Sequence, residues 1–183
     1  MTDVKLLYKT TSTKYDNYQF RFATIYSGFL IFWMAVIVGF FLATNIIVGT
    51  IFLLVPLLMI KSLIKCSRNL IEEIRLTADG RIIIKYLDYS KRLTNNFALK
   101  DIVVSIKYPH RRLSLTPLGL PNLRIYHPDI GNIIQYPLKT FIGLWSVEQL
   151  KNVFISIKEH KNETFTSWEK GVLERMEIQS IRE

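Results

Sequence analysis

The sequence predicts an α+β membrane protein: a two-helix transmembrane hairpin, then a small strand-rich domain closed by a C-terminal helix. Three observations carry this expectation. The 39 residues from Phe22 to Ile60 contain no Asp, Glu, Lys, Arg or His. After Arg68 the chain turns to short alternating segments punctuated by Gly, Pro and Asp. From Ser146 the apolar residues fall at helical spacing.

The uncharged run comes first. As one straight helix it would measure roughly 58 Å at 1.5 Å per residue, nearly twice the ~30 Å of a bilayer's hydrocarbon core. Two spans fit better, at about Tyr26–Ala43 and Ile46–Leu63, with a tight turn at the polar pair Thr44-Asn45. Soluble core helices of that length normally carry a charged face. Ala35, Gly39 and Ala43 recur every fourth residue of the first span and put small side chains on one helix face, where another backbone can approach. Pro56 is expected to kink the second span. No ionisable residue lies within the run, which argues against a proton or ion path.

Lys and Arg set the expected orientation. Lys5, Lys9, Lys14 and Arg21 precede the run, and Lys61, Lys65 and Arg68 follow it. Both termini then belong on the positive side of the membrane, the cytoplasm or the mitochondrial matrix. On that side the sequon Asn162-Glu163-Thr164 is silent. The first 20 residues have neither the apolar core of a secretory signal nor the Arg-rich character of a presequence. The single cysteine, Cys66, excludes an intrachain disulfide.

The domain after the hairpin reads as strands. Ile74–Thr77 alternates, Ala78-Asp79-Gly80-Arg81 is a turn, and Ile82–Leu87 is a β-branched strand. Strands are also expected at Arg92–Ala98 and Ile102–Tyr108, with weaker ones at Leu113–Thr116, Leu123–His127 and Asn132–Tyr136. Ser146 and Gln149 form a capping box, after which Val147, Leu150, Val153, Phe154 and Ile157 share a helix face. A meander of six or seven strands closed by one amphipathic helix is the outline of a pleckstrin-homology-like domain. The chain thus divides into an N-terminal segment (1–25), the hairpin (26–63), the strand-rich domain with its closing helix (69–160) and a tail (161–183). In the tail, Thr166 and Glu169 form a second capping box, and Trp168, Val172 and Met176 repeat every fourth residue. That stripe has little left to bury against and is a candidate docking element for a partner.

The sequence carries no enzyme site. His110, His127 and His160 lack metal-ligand spacing with each other or with Cys66. There is no Gly-rich phosphate loop and no nucleophile elbow. No cofactor is therefore expected. Of the net charge of +9, residues 61–145 supply the larger part, with 14 Lys/Arg against 6 Asp/Glu. The densest cluster, Lys107, His110, Arg111 and Arg112, is a candidate contact for anionic lipid, where each cation near the surface adds about 1 kcal/mol. No aromatic-interleaved RNA motif accompanies it, so nucleic acid is not an expected partner.

The layout resembles a family of mitochondrial inner-membrane proteins with a two-span hairpin and a following strand-rich domain, associated with assembly of respiratory complexes and ATP synthase. The likeness rests on Leu6-Leu7-Tyr8 before the hairpin, on Ile74-Arg75-Leu76-Thr77-Ala78-Asp79-Gly80-Arg81-Ile82-Ile83-Ile84, and on Leu99-Lys100-Asp101-Ile102. It covers roughly residues 4–160, brings no catalytic residues with it, and departs from the family in lacking a presequence. It implies a non-enzymatic accessory subunit or assembly factor, in the mitochondrial inner membrane with its termini in the matrix. Its partners would be membrane lipid and the protein subunits of the complex. The alternative is a bacterial inner-membrane protein with cytoplasmic termini, whose pleckstrin-like domain binds lipid or peptide.

Overall fold

The computed structural model describes residues 4–10, 15–43, 64, 67–108, 121–142 and 144–180. Its body consists of two antiparallel sheets. The first has the order β1-β2-β3-β4, from Val4–Lys9, Asn69–Thr77, Arg81–Asp88 and Lys91–Ala98. The second has the order β5-β6-β7, from Val103–Lys107, Asn122–His127 and Gly131–Gln135. A 3-10 turn at Leu99–Asp101 links the sheets. Three helices follow the strands: a single turn, α2 (Lys139–Ile142), then α3 (Val147–His160) and α4 (Ser167–Ser180). One long helix, α1 (Tyr18–Ala43), precedes β2.

β1 is the main topological surprise. Leu6-Leu7-Tyr8 belongs to a strand that pairs with β2 from Val4↔Thr77 to Lys9↔Glu73. Residues 10–68 are therefore inserted into a β-hairpin, and the strand-rich body begins at residue 4. The β2–β3 turn closes at Gly80, whose φ of +71° is a conformation that costs glycine little. β3 and β4 then pair without interruption from Arg81↔Ala98 to Asp88↔Lys91.

The core lies between the sheets and under α3. The inward residues of β2 and β3 include Ile71, Ile74, Leu76, Ile82 and Ile84, all buried. Val104, Ile106, Leu123, Ile125 and Ile133 face them from the second sheet. Each such side chain contributes about 1.5–3 kcal/mol when taken out of water. α3 starts at the expected capping box: Gln149 N–H donates to Ser146 Oγ at 3.1 Å, and Ser146 N–H donates to Gln149 Oε1 at 2.8 Å. Its five apolar residues, Val147 to Ile157, are buried as the spacing predicts.

A polar knot secures the corner where β2 meets β7. The β2–β3 register slips between Ile71 and Glu73, a bulge. Side chains answer the backbone there: Ile71 N–H donates to Gln135 Oε1 at 2.8 Å, and Trp145 Nε1–H donates to Ile71 O at 2.8 Å. Trp145 is fully buried and stacks on Tyr8, with ring centroids 3.7 Å apart. Burial pushes the Tyr8 hydroxyl up to about 12, against a smaller opposing hydrogen bond from the Trp145 backbone.

The hairpin expectation is corrected here. Among the described residues no helix is long and apolar enough to cross a membrane. The membrane-protein class and the transmembrane assignment fall with that finding. The predicted first span lies inside α1, but the helix starts eight residues earlier and its first turns dock on the body. Ile25 and Tyr26 are core residues, so the length beyond them is roughly 17 residues, or about 26 Å, short of a ~30 Å hydrocarbon core. The predicted second span, Ile46–Leu63, lies outside the described residues, as does the strand expected at Leu113–Thr116.

Candidate functional site

α1 is built in two halves. Asn17 caps its start, accepting from Gln19 N–H at 2.8 Å. The first two turns present Arg21, Phe22, Ile25 and Tyr26 to the body. Arg21, Ile25 and Tyr26 are buried, and Phe22 stacks on Tyr26 at 3.9 Å. Burial lowers the Arg21 guanidinium from its ordinary value, against the nearby Tyr18, Asp16 and Glu72. The group remains a cation all the same.

Beyond Tyr26 the helix changes character. Ile31, Met34, Val38 and Leu42 are 70%, 59%, 49% and 84% exposed, and Ala35 and Gly39 between them are also open. Steps of three and four residues place all six on one face. The other side is partly covered, with Ile37 buried and Trp33 and Val36 half-buried. No charged residue follows Arg21 in α1. Clustered apolar residues at this exposure are what a recognition surface looks like before its partner arrives.

Ala35 and Gly39 of the small-residue stripe predicted from sequence lie on this face. A Cβ built on Gly39 meets nothing within 4 Å, so among the described residues no neighbour uses the close approach that glycine allows. Ala35 is exposed and Ala43 ends the helix. The large residues of the face were missed by the sequence reading. Their signal was present in the spacing of Ile31, Met34, Val38 and Leu42, but a run assigned wholly to lipid hides any one face.

The other candidates fare differently. Lys107 is exposed at the end of β5, while His110, Arg111 and Arg112 lie outside the described residues. The tail stripe divides: Val172 and Met176 are buried in the chain's own core, and Trp168 is 49% exposed. The expectation that this stripe lacks a home is thus corrected. α4 packs on α3, with its capping box formed by Thr166 and Glu169. Lys158 joins the two helices through ion pairs to Glu169 at 3.0 Å and Glu163 at 3.2 Å.

No family model, no curated protein and no solved structure matches the chain. The residues alone must therefore carry any functional reading. Among the described residues no three His, Cys, Asp or Glu side chains converge as metal ligands. His127 stacks on Phe97 at 4.0 Å, and the His160 ring bonds Ser156 O of its own helix. Two open depressions, of about 440 and 510 Å³, flank His160 near the β2–β3 turn. Lys161 and Glu163 beside them are committed to each other as an ion pair. The open face of α1 is the strongest candidate site, and its chemistry is apolar contact.

Proposed function

We propose that this chain is a non-enzymatic accessory subunit or assembly factor of a multi-subunit membrane complex of the respiratory type, which it joins through the open face of α1. The observation that supports the reading is the alignment of Ile31, Met34, Val38 and Leu42 on one exposed, charge-free surface. Such a surface excludes charged partners, because a charge buried against it has nothing to pair with. It fits apolar helices, and Gly39 lets one of them come close. The face is about three turns long, from Ile31 to Leu42. Trp168 offers a second, separate anchor, since exposed tryptophans are over-represented at interface hot spots.

The test is native purification of the full chain, with identification of what comigrates. Gly39→Leu adds bulk where the isolated chain has room, so the fold should be untouched while complex content falls about tenfold or more, a loss of at least ~1.4 kcal/mol. Unchanged comigration in Gly39→Leu and in Val38→Lys would sink the reading. Salt-sensitive binding to anionic vesicles by the same chain, with no comigrating protein, would replace it with a lipid-binding role.

A further inference from the structure

The chain leaves β1 at Lys9 and re-enters the sheet at Asn69, and α1 lies between the two in sequence. Three stretches of backbone converge: the lead-in at Tyr15, the return at Ser67-Arg68, and the β3–β4 turn at Tyr89. Arg21 sits at their meeting point, fully buried. Its Nε–H donates to Ser67 O at 2.9 Å, and Nη2 donates to Tyr89 O at 2.7 Å and to Arg68 O at 3.2 Å. Nη1 donates to Tyr15 O. Four of the five guanidinium hydrogens thus hold carbonyls from all three stretches. Tyr89 adopts a φ of +55°, rare for a non-glycine residue, while its carbonyl oxygen takes one of these bonds.

The surroundings reinforce the join from the outside. Tyr18 N–H, in the first turn of α1, donates to Ser90 Oγ at 2.8 Å. The Tyr18 ring meets Tyr89 edge-on at 4.9 Å, and the Arg68 guanidinium lies over Tyr89 at 5.2 Å. Arg92 of β4 pairs with Asp16 at 2.7 Å and with Glu72 at 2.8 Å, but this layer is exposed and screened.

We propose that Arg21 is a clasp: it ties both ends of the inserted segment to the β3–β4 turn, so that α1 and the first sheet move as one body. The clasp fixes the direction in which the open face of α1 points. It goes beyond the accessory-subunit reading and stands whether or not that face carries a partner. Only arginine suits the position. Its flat fork sends donors along several directions at once, whereas the three lysine hydrogens share one nitrogen. The acceptors are carbonyls, which do not titrate, so the clasp holds across the physiological pH range.

The experiment uses the full chain with Cys66→Ser and paired spin labels at Ala35→Cys on α1 and Asn96→Cys on β4, both exposed positions. The labelled parent should give a single narrow distance distribution. Arg21→Gln and Arg21→Lys should at least double its width, while the amides of Ile82 and Ile84 in β3 keep their exchange protection. Arg92→Gln, which cuts only the exposed layer, should leave the width unchanged. A narrow distribution in Arg21→Gln would overturn the proposal. So would loss of Ile82 and Ile84 protection in both Arg21 variants, because Arg21 would then be a residue the sheet needs rather than one that joins α1 to it.

Discussion

α1 and α3 solve the problem of apolar surface in opposite ways. α3 buries Val147, Leu150, Val153, Phe154 and Ile157 on one side and shows Glu148, Asn152 and Glu159 to water on the other. Its surface is complete within the chain. α1 beyond Tyr26 has no polar side to show, and Ile31, Met34, Val38 and Leu42 stay exposed. A helix with a polar face is finished when it folds. One without it is finished only when something else covers it.

The comparison breaks if the body proves fragile and the open face proves essential to folding. The largest expected effect is at the polar knot. Trp145→Ala removes the Tyr8 stack and the donor to Ile71 O. It should cost about 3–5 kcal/mol, the usual range for a buried aromatic truncated to alanine. A urea titration followed by circular dichroism measures it. Gln135→Leu keeps the volume but takes the acceptor from the Ile71 N–H. A loss of about 1–3 kcal/mol is expected by the same titration.

Alkaline pH probes the same knot without mutation. The Tyr8 hydroxyl is raised to about 12 in the folded chain from an ordinary value near 10. Its contribution is therefore fully present below about pH 10 and is lost as pH rises through about 12. Unfolding midpoints measured from pH 9 to 12 should fall more steeply in the native chain than in Tyr8→Phe, which has no hydroxyl to ionise. Equal slopes would show that Tyr8 is not what base attacks first.

The smallest effect belongs to the open face. Leu42→Ser and Val38→Ser alter exposed positions and should shift the unfolding free energy by no more than about 0.5 kcal/mol. The same variants should raise solubility, since they shrink an exposed apolar patch. A large destabilisation in either would mean that the face is already covered within the chain.

What could be read in the sequence was mostly local. The capping boxes at Ser146/Gln149 and Thr166/Glu169 involve residues three apart and appear as expected. The Asp79-Gly80 turn is equally local. β1 was hidden because Leu6-Leu7-Tyr8 finds its partner some 70 residues later, and pattern alone does not reach that far. Arg21 was counted as a flanking charge that sets orientation, because burial against carbonyls leaves no mark in composition. Trp145 and Gln135 owe their roles to a bulge in β2, which no periodicity announces. The burial of Val172 and Met176 was hidden because it depends on α4 folding back against α3 and β5, a packing that the spacing within one helix does not show. For the candidate site, the small residues of α1 were legible and the large ones were masked by the apolar run around them.

The inserted segment also governs the order in which the molecule can assemble. β1 is made well before its partner strand, since Val4 pairs with Thr77. At roughly 5–20 residues per second on a ribosome, the strand waits several seconds for its partner. Closing a loop of about 60 residues rather than about 4 also costs about 2 kcal/mol more in chain entropy. The hairpins β2–β3 and β3–β4 face no such delay. β1 is therefore expected to join last, with Tyr8 sealing the pocket around Trp145 as the concluding step of folding. An edge strand added that late is also the one most open to capture by a neighbouring nascent chain, so the yield of correctly folded protein should depend on how crowded its synthesis is.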